Sequence, residues 1–137
     1  MKLITQSQLH ALRQNGIRAH QDAAFDPRPV VKLFTPDGPC TWLLAYLGPD
    51  EGDIAFGLCD LGLGFAECGS VRLSEIRSVR GQLGLPVERD KFFQAGYPLS
   101  VYARAASEGY FRGEAYITLD PVRLAKAAHE LGKGGAS

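Results

Sequence analysis

Three observations predict a single α+β domain, with a small, mostly antiparallel sheet of four or five strands flanked by three or four short helices. The chain of 137 residues has the length of one domain, and folding should bury roughly two-thirds of the surface its unfolded form exposes. Between residues 30 and 61, β-branched and aromatic runs follow one another across short turns, the pattern of an antiparallel meander. Helix start and stop signals bracket this stretch on both sides.

Thr5-Gln6-Ser7-Gln8 fits a capping box, and Leu9, Leu12 and Ile17 follow as an apolar stripe, so a helix is expected over 5–15 with Gly16 as its stop. His20 to Pro29 is polar, holds two prolines and reads as a connector. Val30 to Thr35 is a strand, closed by the turn cluster Pro36-Asp37-Gly38-Pro39. Thr41–Leu47 and Ile54–Leu61 are the next two strands, separated by a turn over 48–53. Gly62 to Gly69 is not a GxGxxG loop opening a helix and carries no lysine, so it reads as a turn or bulged connection and not as a phosphate cradle. Ser70–Leu73 is a short strand running into a helix capped by Ser74 and stopped by Gly81, with Glu75 in its first turn and Arg77 and Arg80 near its end, as the helix dipole favours. Leu85 to Asp90 reads as an extended edge segment, because Pro86 cannot donate to a ladder. A helix capped by Ser100 should run to Ser107, Tyr110–Leu119 should return as a strand, and Asp120-Pro121 should open a last helix to Leu131. The domain is thus placed at 1–131, with 132–137 as a flexible tail.

Composition narrows the function classes. With 45% hydrophobic and 22% charged residues and a mean hydropathy of −0.09, the chain is neither disordered nor a membrane protein by composition. No signal-peptide pattern opens it, so a cytoplasmic location is expected. Fifteen Lys+Arg balance fifteen Asp+Glu, which excludes attraction of a polyanion by the whole molecule. The balance is uneven along the chain. Residues 1–32 carry five basic and two acidic side chains, 33–71 carry six acidic and none basic, and 72–137 carry ten basic and seven acidic.

The acidic stretch, Asp37, Asp50, Glu51, Asp53, Asp60 and Glu67, is the first candidate binding surface. Folded onto one face, it would suit a basic partner, such as a protein that handles nucleic acid. Arg80, Glu88, Arg89 and Asp90 form a second candidate, either a carboxylate-guanidinium cluster or an ion-pair lattice pinning the 74–80 helix to the edge segment. In an enzymatic reading, Glu67, Glu88 and Asp90 would have to converge as the carboxylates of a hydrolase or nuclease-like site. The third candidate is 89–112, where Lys91, Arg104 and Arg112 interleave with Phe92, Phe93, Tyr97, Tyr102, Tyr110 and Phe111, as single-stranded nucleic-acid binders do.

Cys40, Cys59 and Cys68 match no zinc spacing, and His10, His20 and His129 are far from them in sequence. Asp53, Asp60 and Glu67 could offer oxygen to a hard cation, but lie among glycine turns where acids are usually solvated. No GxSxG is present to make Ser74 or Ser100 a nucleophile. No metal, cofactor or catalytic residue is therefore expected.

Pro29 to Pro36, Thr41-Trp42, the Gly-Leu-Cys-Asp-Leu-Gly run at 57–62, Glu67, Val71-Arg72-Leu73-Ser74-Glu75-Ile76, Arg80-Gly81 and Gly84 to Asp90, continuing to Pro98-Leu99-Ser100, together resemble one bacterial family. It is the uncharacterised family called domain of unknown function 2958, and the resemblance covers 2–105. Such proteins are common on plasmids, integrative elements and phage-like regions. The resemblance therefore implies an accessory role in conjugation, maintenance or anti-defence, and assigns no catalytic residue. Together these readings give a non-enzymatic cytoplasmic protein of a mobile element that binds another macromolecule through its acidic stretch. The nucleic-acid binder and the carboxylate enzyme stand as alternatives.

Overall fold

The computed structural model of the chain describes residues 2–48, 52–113 and 115–133. Its sheet has five antiparallel strands, β1 (Val31–Phe34), β2 (Thr41–Leu47), β3 (Ile54–Asp60), β4 (Ala66–Arg72) and β5 (Glu88–Arg89), in the order β4-β3-β2-β1-β5. The first three form the expected meander, and β4 extends it. Four α-helices cover the sheet among the described residues: α1 (Gln6–Gln21), α2 (Leu73–Ser78), α3 (Leu99–Glu108) and α4 (Pro121–Glu130).

Alternate residues of a strand point to opposite faces, so a central strand buried on both sides must be apolar throughout. β2 is such a strand. Trp42, Leu44 and Leu47 join Leu12 of α1 and Leu73 and Ile76 of α2 in one core cluster. Leu43 and Ala45 join Leu58 of β3, Val101, Tyr102 and Ala105 of α3, and Leu124, Ala127 and Ala128 of α4 in the other. A register shift between Leu44 and Tyr46 sets Tyr46 against Phe56, their rings stacked with centroids 5.0 Å apart. The domain has three layers, with α1 and α2 on one side of the sheet and α3 and α4 on the other.

Several local signals act as expected. The Thr5 hydroxyl accepts from the Gln8 amide at 3.1 Å, and the Gln8 side chain accepts from the Thr5 amide at 3.0 Å, the reciprocal capping box. Asp120 caps α4 by accepting from the Arg123 amide at 3.2 Å.

Other expectations are corrected. Gly16 does not stop α1, which continues to Gln21. It is buried where α1 crosses β2, and a Cβ there would lie 1.7 Å from the Leu47 carbonyl oxygen, so the glycine serves close packing and not termination. The strand read as Ser70–Leu73 begins earlier, at Ala66, because all seven residues of β4 pair with β3. Tyr110–Leu119 is not a strand. Tyr110–Arg112 is a single 3-10 turn, and Ala115 makes only an isolated bridge to Phe65. Neither Ser74 nor Ser100 caps with its own side chain. Asp53 accepts from the Ser74 amide at 3.1 Å and its hydroxyl at 2.8 Å, while Asp26 accepts from the Ser100 amide at 3.1 Å and its hydroxyl. Distant carboxylates thus cover the N-termini of α2 and α3. Lys133, within the stretch read as a tail, reaches Asp26 with its ammonium. Residues 134–137 lie outside the described residues.

Candidate functional site

The acidic stretch does not gather. Asp53 and Asp60 stand at the two ends of β3, roughly 23 Å apart at about 3.3 Å per residue. Three of its carboxylates are engaged inside the domain. Asp37, in the β1–β2 turn, accepts from the amides of Leu83 at 2.6 Å and Leu85 at 3.2 Å, stitching the 81–85 turn onto the hairpin. Gly81 lies so close that a Cβ would fall 1.8 Å from the Asp37 carboxylate. Buried Asp60 accepts from the amides of Gly62 at 3.0 Å and Ile117 at 3.1 Å, holding the irregular segment before α4 to the end of β3. Asp53 binds Ser74, and the Ser74 hydroxyl is the first cause that holds its carboxyl below the ordinary range. Glu67 is exposed on β4. Asp50 and Glu51 lie outside the described residues.

The carboxylates of the enzymatic reading are not brought together. β4 and β5 are the outermost strands, so Glu67 is separated from Glu88 and Asp90 by the width of the sheet, about 19 Å at roughly 4.8 Å per strand. The expected ion-pair lattice is also absent. Arg80 donates to the carbonyls of Arg77 and Val79, both at 2.8 Å, where a guanidinium satisfies groups left over at the end of α2. Arg89 donates to the carbonyls of Lys2 at 2.7 Å and Leu3 at 3.1 Å. Asp90 pairs with Lys32 at 3.3 Å, because its amide bonds the Lys32 carbonyl as the chain leaves β5.

In 89–112 three of the six aromatic residues turn inward. Phe93 and Tyr97 pack against the Tyr102 ring, at 6.4 and 6.5 Å between centroids. Phe92 and Tyr110 are exposed, and the Phe111 side chain lies outside those described. Arg104 is held by Glu108 at 3.1 Å and Glu130 at 3.0 Å, and Lys126 bridges the same two acids at 3.6 and 3.5 Å. Lys91 and Arg112 are exposed.

A surface not foreseen as a site lies on the other side of the sheet. The start of α1, the end of α2 and the chain entering β5 enclose a groove of about 790 Å³. Leu3, Ile4, Leu9, Leu85 and Val87 give it an apolar floor, and Lys2, Arg77 and Arg89 stand around it, with Glu88 as its one acid among the described residues. None of these three cations forms an ion pair among the described residues. Glu88 and Arg89 of the second candidate cluster line it, but nothing in the sequence singles out Lys2, and Arg77 reads equally well as a helix-dipole partner.

A family model described as protein of unknown function (DUF2958) matches residues 3–110. The chain belongs to the DUF2958 family. The matched span of this DUF2958 protein holds all five strands and helices α1 to α3, and it stops before α4. No curated protein and no solved structure compared with the chain matches it. α4 nonetheless places Leu124, Ala127 and Ala128 in the same core cluster as Leu43 and Leu58 of the matched part.

The thiols of the DUF2958 chain stay protonated at neutral pH. Burial pushes Cys59 up to about 11, and burial also raises Cys40 and Cys68. Among the described residues no group of three His, Cys, Asp or Glu side chains is placed to hold a metal, and no helix is long and apolar enough to cross a membrane.

Proposed function

We propose that this protein is a non-enzymatic accessory factor of a bacterial mobile genetic element, and that it acts by binding an anionic macromolecule on the side of the sheet covered by α1 and α2. One observation carries the reading. On the α3–α4 side Arg104 and Lys126 are neutralised by Glu108 and Glu130 and Arg123 bonds the Ala105 carbonyl, whereas Lys2, Arg13 and Arg77 on the α1–α2 side have no ion-pair partner among the described residues. Unpaired, solvated cations concentrated on one side steer an anionic partner even when the net charge is zero. The dispersed carboxylates add support, because general acid-base chemistry needs its groups within hydrogen-bond reach of one substrate. Family membership supports the mobile-element role.

Affinity capture from a host that carries the element tests the proposal. The intact chain should retain a specific partner at low salt and less of it at moderate salt. Charge reversal at Lys2, Arg13 and Arg77 together should abolish the capture. No specific partner at either salt, or capture indifferent to the reversal, overturns it.

A further inference from the structure

Resting on that reading, we infer that the groove between α1, α2 and β5 is a docking site for a short acidic segment of a partner protein, one that carries aliphatic side chains between its carboxylates. Charge complementarity selects the acidic character. Among the described residues Lys2, Arg77 and Arg89 surround the groove against Glu88 alone, and Arg80 stands just beyond the end of α2 with its guanidinium on backbone carbonyls. Arg89 is fixed by its two bonds to the Lys2 and Leu3 carbonyls, so part of the positive rim is ordered before any partner arrives.

The floor selects a peptide over nucleic acid. Both are anionic, but a single strand gains affinity by stacking bases on aromatic rings. Among the described residues no Phe, Tyr, Trp or His lines this groove. Its apolar surface is aliphatic, from Leu3, Ile4, Leu9, Leu85 and Val87, and this matches branched side chains that have no charge of their own. Leu85 keeps 44% of its surface exposed, so a partner that covers it removes apolar area from water.

Fluorescence anisotropy with the full chain and defined probes decides the matter. The first probe is an alternating Asp-Leu peptide of about twelve residues, long enough to cross the groove at roughly 3.3 Å per residue. Asp-Ser and Lys-Leu peptides of the same length and an oligo-dT strand complete the set. The Asp-Leu peptide should bind at least about tenfold more tightly than each of the other three. Arg77→Glu and Leu85→Ser, both at exposed positions, should each weaken its binding about tenfold or more while leaving the circular dichroism spectrum unchanged. The inference is overturned by equal binding of Asp-Ser and Asp-Leu peptides, by binding insensitive to both substitutions, or by no binding of the Asp-Leu peptide. It is overturned in favour of nucleic acid if oligo-dT binds as tightly and loses affinity on Arg77→Glu. If the peptides fail while capture in cells still depends on Lys2, Arg13 and Arg77, the groove is excluded and the broader reading stands.

Discussion

On the α3–α4 side of the sheet, Arg104 and Lys126 each lie 3.0–3.6 Å from both Glu108 and Glu130, so these two cations and two acids form a closed set. Two of the four contacts are i,i+4 pairs within a helix, and the other two cross between α3 and α4. On the α1–α2 side, α1 contains no acidic residue, Arg13 and Arg77 are exposed, and Arg18 lies over the Phe25 ring with no ion-pair partner among the described residues. A charge count over either sequence segment misses this difference, because what matters to a partner is the charge left after internal pairing. The same comparison separates structural acids from available ones. Asp37, Asp53 and Asp60 make the stretch 33–71 look acidic, yet each is engaged by backbone amides of its own chain.

If the two sides differ in surface but not in core, Leu12→Ala on α1 and Leu124→Ala on α4 should each destabilise the domain by about 3 kcal/mol in urea unfolding. Both side chains are fully or almost fully buried. A much smaller loss for Leu124→Ala would break the comparison and make α4 an accessory cover on the family fold. Next in size, Gly16→Ala should lower stability by about 2 kcal/mol although alanine favours helix, because the added methyl meets the Leu47 backbone and not a movable side chain. Unchanged stability in the same urea titration would show that α1 can lift from β2. Asp60→Ala should cost about 1–2 kcal/mol through two unsatisfied amides, and hydrogen exchange should speed up first at Ile117.

A pH experiment sharpens the role of the Asp26 cluster, which ties the connector before β1 to both ends of the α3–α4 layer. Burial alone would raise the Asp26 carboxyl, but hydrogen bonds from Lys133 and Ser100 outweigh it and hold the group below its ordinary value of 3.8. A lowered folded value means that the contribution is present in full above 3.8 and is lost as acid takes the pH through the depressed folded value. Asp26→Asn should therefore flatten the fall of unfolding free energy below about pH 4. An unchanged acid limb would remove Asp26 from the account. Smallest of all, Arg104→Ala should leave the unfolding midpoint within error, because exposed ion pairs are screened and flexible. It should also leave partner capture intact, and loss of capture would move the binding surface to α3 and α4.

Much of the fold was legible because its causes are local. The capping box at Thr5, the Pro36–Pro39 turn and the Asp120-Pro121 start each act through residues within a few positions, and each forms as expected. Gly16 misled because helix termination and close packing ask for the same residue, and only the Leu47 carbonyl across the interface distinguishes them. The candidate site was less legible. Arg80 and Arg89 sit beside acids in sequence, yet their guanidinium groups bond carbonyls, some contributed by Lys2 and Leu3 at the far end of the chain. Aromatic residues between cations look alike whether they face solvent or a core, and Phe93, Tyr97 and Tyr102 face the core.

By itself the sequence determined the α+β class, the antiparallel meander, the family and the balance of charge, since periodicity, turn chemistry and composition are properties of neighbouring residues. Only the tertiary structure decided which charges remain free. Pairing depends on distances of a few ångströms between residues that can be more than a hundred positions apart, as Lys133 and Asp26 illustrate. Those distances exist only once the sheet has fixed which helix ends and turns lie together.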